Sequence, residues 1–458
     1  MYREDTIVAV ATPPGEGGVA IVRLSGPDAE RIARELFVRS GGNSAALRPH
    51  TLHHGLIRDP ESGAVVDECL AVSMPKPRSY TGEDVIEFHC HGGQLVTRRV
   101  LEVALARGAR HAEPGEFTKR AFLNGRIDLA QAEAVLDLTH ARTDTGMRLA
   151  LEQMHGGLSQ WVATLREELL DILAEVEAAI DFSEEEIERL PNEKLGAKIS
   201  ALRGRIAAIV ASYEWGRLHR EGARVCIAGR PNVGKSSLLN ALLGAERVIV
   251  TPVPGTTRDV IEESINLGGL PVALWDTAGI RETDNIIERA GIDFTRRHLE
   301  AADAALVVVD GSEPHTTEDE ALMKAVRGKK GLLVVNKSDL PERLDRSWIA
   351  EAAPDKAIIS ISAKSGAGLD ELKSSLRELL LQASTEPEIV LTNLRHKGAL
   401  ERSLAGLDAS LVLLDDSATP ELVAVELMEA KGGLEEVVGM VDNETILERI
   451  FSKFCLGK

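Results

Sequence analysis

Gly229-Arg230-Pro231-Asn232-Val233-Gly234-Lys235-Ser236 stands between an apolar run, Val225-Cys226-Ile227-Ala228, and a stretch that reads as a helix, Ser237-Leu238-Leu239-Asn240-Ala241-Leu242. Strand, glycine-bounded loop and helix in that order make a phosphate cradle. The glycines let backbone N–H groups turn inward, and the helix behind them offers its positive end. Lys235 is placed to reach the β- and γ-phosphates and Ser236 to ligate Mg²⁺. Asn232, Val233, Gly234 and Ser237 complete the lining of the loop.

Three further pieces follow, each after an apolar strand. Pro271-Val272-Ala273-Leu274-Trp275 leads into Asp276-Thr277-Ala278-Gly279. Asp276 is placed to bind Mg²⁺, through water, and Gly279 to offer its N–H to the γ-phosphate. Leu332-Leu333-Val334-Val335 leads into Asn336-Lys337-Ser338-Asp339. A buried Asp339 accepts from guanine N1–H and N2–H₂, a donor pair adenine lacks, and unpaired polar groups discriminate strongly. Ser362-Ala363-Lys364, after Ile358-Ile359-Ser360-Ile361, closes over the base. Strands alternate with helices from 222 to 382, which predicts an α/β domain on a parallel sheet. The four pieces together resemble the translation-factor-related class of GTPases, implying GTP or GDP with Mg²⁺.

The loop Thr251-Pro252-Val253-Pro254-Gly255-Thr256-Thr257 lies where the γ-phosphate is sensed. One residue departs from the Ras-like pattern. After Asp276-Thr277-Ala278-Gly279 those enzymes carry a water-orienting Gln, and here Ile280 cannot hydrogen-bond water.

Outward from this domain the chain changes character. Residues 1–120 read as α+β. Ile7–Val10 and Val19–Arg23 look like strands, Val85–His89 alternates as a half-buried strand does, and Leu95–Arg107 reads as a helix ended by Gly108. Residues 121–221 and 383–458 read as helical, by the spacing of Leu129, Ala132, Val135 and Leu136 and of Leu165, Leu169, Ile172 and Val176. The economical organisation is one discontinuous helical domain with the α/β domain inserted; two separate helical domains are the alternative.

The chain has 458 residues, 72 acidic against 53 basic, and a formal net charge of −19. That balance opposes a global polyanion-binding surface but leaves room for a local basic patch. No apolar run reaches membrane-spanning length and the start of the chain lacks a signal-peptide core, so the expected compartment is the cytoplasm, with no membrane association. The four cysteines, Cys69, Cys90, Cys226 and Cys455, show no metal-ligand spacing. His89 and His91 lie two apart on a strand and so share a face; a metal site is not expected there, and His91 beside Gly92-Gly93 reads as structural.

Pieces outside the α/β domain carry a wider resemblance. They are Asp5-Thr6-Ile7-Val8-Ala9, Tyr80-Thr81-Gly82-Glu83-Asp84, His91-Gly92-Gly93, Pro114-Gly115-Glu116-Phe117, Asp128-Leu129-Ala130-Gln131-Ala132-Glu133-Ala134 and Phe454-Cys455-Leu456-Gly457-Lys458. With them the chain resembles, nearly end to end, the MnmE (TrmE) family of bacterial tRNA-modification GTPases.

The resemblance implies an N-terminal folate-binding domain that forms a homodimer, a discontinuous helical domain and an inserted GTPase domain. It implies work with the flavoprotein MnmG in a heterotetramer, on tRNA. The reaction adds an aminomethyl or carboxymethylaminomethyl group at C5 of the wobble uridine. The one-carbon unit comes from 5-formyl- or 5,10-methylene-tetrahydrofolate. Asn232 matches a K⁺-binding position, with Thr251, Val253 and Thr256 wrapping the ion. Thr257 matches the switch threonine on Mg²⁺. Glu288 matches the glutamate that orients the attacking water, which answers Ile280. Catalysis then falls to Lys235, Thr257 and Glu288, with GTPase domains pairing face to face. Arg23, Glu87 and Arg126 match folate-binding positions, with Lys458 close by; a carboxylate suits pterin N–H donors and arginines suit the glutamate tail. Arg126 stands where some members carry Lys. Cys455 is either a tail thiol or a participant in the chemistry. The competing reading of the chain is a GTP-regulated assembly switch without a direct part in RNA modification.

Overall fold

The computed structural model describes residues 4–41, 47–181, 192–246, 263–276, 299–381, 389–440 and 444–458. The chain divides into two compact units. One comprises Met1–Leu136, Gln153–Thr164 and Leu434–Lys458; the other comprises Asp137–Glu152 and Leu165–Gly433.

The first unit is built on seven strands: β1 (Ile7–Val10), β2 (Ala20–Ser25), β3 (Phe37–Arg39), β4 (His53–Arg58), β5 (Val65–Met74), β6 (Val85–Cys90) and β7 (Arg110–His111). Their order is β3-β4-β5-β6-β2-β1-β7. Pairing is antiparallel except between β1 and β7. Alternation along the strands sorts the side chains onto two faces. Val8, Val22, Leu24, Ile86 and Phe88 pack against Ile32, Leu36, Val100 and Ala104 of the helices Ala29–Leu36 and Gln94–Ala106. Ile7, Ala9 and Phe117 cover part of the other face, the one on which Arg23 and Glu87 stand opposite each other in register. The strands and helix expected here are present within a residue or two. β3, β4 and β5 were not anticipated. β4 opens His53-His54-Gly55 and β5 runs polar through Asp67 and Glu68, so neither shows a clean apolar alternation.

The second unit holds a six-stranded sheet: β8 (Ala223–Ala228), β9 (Glu263–Leu267), β10 (Leu270–Asp276), β11 (Ala304–Asp310), β12 (Gly331–Asn336) and β13 (Ala357–Ser360). The order is β13-β12-β11-β8-β10-β9, parallel throughout except for β9. β8 is central, and its near-continuous burial is that of a strand covered on both faces. Val225, Ile227, Leu306 and Val334 pack on one side with Leu238, Leu372 and Leu376. Cys226, Val307 and Val335 pack on the other with Met323 and Ile349. The loops that follow β8, β12 and β13 leave the sheet at the carboxyl ends of parallel neighbours, where open α/β sheets bind ligands.

Helices make up the rest of this unit. Asn192–Ala211 runs beside Leu394–Asp415, where Arg203 pairs with Asp408 at 2.6 Å. Leu394–Asp415 meets Pro420–Val438 closely at Gly406, where a Cβ would stand 2.6 Å from the Glu426 carbonyl. Among the described residues no helix is long and apolar enough to cross a membrane.

Candidate functional site

The phosphate loop leaves β8 at Gly229 and enters the helix Lys235–Glu246. Gly234 has φ 97°, and a Cβ there would collide with Asn336 Nδ2, so the loop admits only glycine. Asn232 also lies in the left-handed region, at φ 65°. Lys235 is 6 % exposed, and its ammonium donates to the carbonyls of Gly229 (2.7 Å) and Arg230 (2.9 Å). It is therefore held within the loop it serves.

The segments expected to read the base are tied to this loop. Asn336 Nδ2 donates to the Val233 carbonyl at 2.8 Å, and Asn336 Oδ1 accepts from the Ala363 N–H at 3.0 Å. One buried amide thus joins phosphate loop, β12 and the loop after β13. Asp339 accepts from Ser362 Oγ at 2.7 Å, a bond that holds its carboxyl below the usual range and keeps it an acceptor. Asp339 and Lys364 are exposed, whereas Ser362 is fully buried. Asp339 is thus open rather than buried as expected, and its desolvation would require a ligand seated against it.

Two further contacts brace the segments around the site. Asp310 ends β11, accepts from the Ser312 N–H and Oγ, and pairs with Lys337. Burial works against its charge, but those bonds outweigh it and its pKa falls below the ordinary value. The signal was the apolar run Ala304–Val309 ending in Asp310-Gly311. Arg230 donates to Glu313 at 2.6 Å and lies 3.4 Å from Asp319, the residue that closes a capping box with Thr316. No motif marks that contact.

Asp276 ends β10, and nothing is described of its side chain. Thr251, Val253, Thr256, Thr257, Gly279, Ile280 and Glu288 lie outside the described residues.

A second polar site lies in the first unit. Arg23 Nε donates to Glu87 Oε1 at 2.7 Å, and its guanidinium stands 5.6 Å from the ring centroids of both Tyr80 and Phe117. Arg23 also donates to the carbonyl of Gly457 at 3.4 Å, which brings the segment Phe454–Lys458 to β2. Burial, and the Arg23 charge, hold the Lys458 ammonium below its usual pKa; Cys455 acts in the opposite sense. Arg126 donates to the Ser79 carbonyl at 3.3 Å and Cys455 is exposed. The structure brings Arg23, Glu87 and Lys458 together, and holds Arg126 on the segment that precedes Tyr80. A carboxylate flanked by cations fits a ligand with N–H donors at one end and carboxylates at the other. His91 donates to Asp67 and His89 contacts Glu87. Among the described residues no group of three His, Cys, Asp or Glu could hold a metal ion.

Several segments quoted above turn out to build one ionic cluster. Arg120, 3 % exposed, contacts Asp5, Glu83 and Glu116, and Arg110 bridges Asp5 and Glu116. Their role in the structure is to lock the first unit together.

The central phosphate loop, the parallel sheet and the Asp339–Ser362 pair define the class: a P-loop domain of the guanine-nucleotide type. Comparison with known proteins narrows this. The family described as "GTP-binding protein TrmE N-terminus" matches residues 6–126 and "MnmE helical domain" matches residues 129–455. The chain is 46 % identical to the tRNA modification GTPase MnmE of Heliobacterium modesticaldum, covering 99 % of each chain. It is 47 % identical to that of Geobacter sulfurreducens and 45 % to that of Geobacillus kaustophilus, covering 100 % of each chain in both cases. The chain belongs to the MnmE (TrmE) family of tRNA modification GTPases.

Proposed function

We propose that this protein hydrolyses GTP to GDP and phosphate, with Mg²⁺, as part of the modification of tRNA. The observation that carries the reading is the Asn336 bridge, which sets a phosphate cradle and a guanine-reading carboxylate at one end of one sheet. Full-length likeness to tRNA modification GTPases supplies the substrate class.

The finer reading assigns roles as follows. Lys235 and Ser236 hold the triphosphate and its Mg²⁺, with Thr257 and Asp276 completing the metal's surroundings. Asn232, Thr251, Val253 and Thr256 hold a K⁺, whose charge stabilises the transition state where other enzymes use an arginine. Glu288 orients the attacking water. Pairing of two GTPase domains organises these loops for hydrolysis.

In the first unit, Glu87 accepts from a pterin while Arg23, Arg126 and Lys458 meet the rest of a tetrahydrofolate derivative, which supplies the one-carbon unit for C5 of the wobble uridine. The protein acts as a homodimer through residues 1–120, with a flavoprotein of the MnmG kind, in the cytoplasm. Residues 121–221 with 383–458 form the helical domain, and 222–382 the inserted GTPase domain.

The test is a nucleoside analysis of tRNA from cells lacking this chain. Wobble-uridine modification should disappear, return with the wild-type chain, and stay absent with Lys235→Ala. Normal wobble uridines in the deletion strain would refute the reading.

A further inference from the structure

β6 carries a second side chain on the same face as Glu87. His89, two residues on, stands opposite Ile21 of β2 and Leu70 of β5. Its ring Nε2 lies 3.2 Å from Glu87 Oε2, while Arg23 Nε donates to the other oxygen, Oε1, at 2.7 Å. The Glu87 side chain is 13 % exposed, His89 24 % and Arg23 20 %. Both carboxylate oxygens are thus gripped, one from the neighbouring strand and one from the same strand.

The donor count is informative. An ionised carboxylate offers about four lone-pair positions over its two oxygens. Arg23 takes one on Oε1 and His89 one on Oε2. One acceptor position remains on each oxygen. That is the set that an adjacent amino group and ring N–H, as on the edge of a pterin, require. A glutamate left with only the Arg23 bond is free to rotate about its terminal torsion, which is broad and unselective. Two grips on two oxygens stop that rotation.

We infer that His89 is a positioning residue for ligand recognition, holding the Glu87 carboxylate so that its two remaining acceptors face a pterin edge. This rests on the folate reading of the same site. His89 acts by donating from Nε2, so any side chain that donates from that place can replace it, and one of similar bulk that cannot donate will fail.

The experiment is a calorimetric titration of the full-length protein with 5-formyltetrahydrofolate and, separately, with a reduced pterin lacking the benzoyl-glutamate tail. His89→Leu keeps the bulk and removes the donor; His89→Gln restores an N–H of comparable reach. Affinity for both ligands should fall about tenfold in His89→Leu, the scale of one hydrogen bond to a charged group, and His89→Gln should recover most of it. Equal binding by wild type and His89→Leu, or a Gln variant as weak as Leu, overturns the inference while folate binding stands. A wild-type protein that binds neither ligand removes the folate reading and this inference with it.

Discussion

Asn336 Nδ2 donates to the carbonyl of Val233, 103 residues earlier in the chain, at a distance of 2.8 Å. The Asn three residues before Asp339, the proposed base reader, therefore also fixes the shape of the phosphate loop. Because Gly234 leaves just enough room for that amide, loop and Asn define each other.

Asn336→Ala should remove both bonds at once and leave a buried carbonyl without its partner, an effect of about 1–3 kcal/mol. GDP and GTP affinities, followed by titration of a fluorescent guanine nucleotide, should both fall roughly tenfold or more. A change in affinity for one nucleotide only would mean that the bridge does not shape the common cradle.

Asp339→Asn should turn preference from GTP toward xanthosine triphosphate. The replacement offers an amide donor where xanthine presents a carbonyl, while guanine would meet donor against donor. Competition binding with the two nucleotides reads the switch, and unchanged GTP affinity would contradict the role.

Glu288→Ala should slow GTP hydrolysis by about 10²-fold or more, the scale of a positioned general base or water-orienting group, while nucleotide affinity holds. Single-turnover kinetics beside equilibrium binding separate the two effects. Loss of binding instead would assign Glu288 to holding the nucleotide.

GTP turnover should be faster in K⁺ than in Na⁺ at equal ionic strength, and Asn232→Ala should remove the difference. Equal rates of the wild type in both salts would dispose of the monovalent-cation site.

Acid should unfold the first unit through its ionic cluster. Arg110 first, and Arg120 with it, hold the Asp5 carboxyl below its ordinary pKa. At Glu116 burial opposes the charge, but Arg110, the Glu113 N–H and Arg120 outweigh it. Carboxylates depressed in the folded state contribute stability above their unfolded values, near pH 4, and lose it as pH falls through the lower folded values. Urea unfolding should therefore show stability declining below about pH 5. Arg120→Ala, which removes the buried cation shared by Asp5, Glu83 and Glu116 and leaves only Arg110 bridging Asp5 and Glu116, should cost about 3 kcal/mol at neutral pH. A flat acid profile with that variant near wild type would show that the cluster contributes little.

The strands β8, β10, β12 and β13 were legible in the sequence, because each is a short apolar run with its motif contiguous at the carboxyl end. Ile7–Val10, Val85–Cys90 and Gln94–Ala106 were legible from local apolar pattern and, for the helix, the glycine that ends it. β4 and β5 were not, since polar residues on their open face break the pattern. The ionic cluster was invisible as such: Asp5, Glu83 and Glu116 lie in three separate motifs, and Arg110 and Arg120, which join them, belong to no motif.

The order of residues along the chain determined what is local: a glycine-bounded turn, the strand before it, the helix after it and the Asn336–Asp339 segment at the end of its strand. These depend on backbone conformation and periodicity within a few residues. Which residues face one another was decided only by the tertiary structure. Arg23 meets Glu87 across 64 residues and the Gly457 carbonyl across 434, and Asn336 reaches Val233 across 103. Strand register and packing create those pairs, and no sequence spacing encodes them.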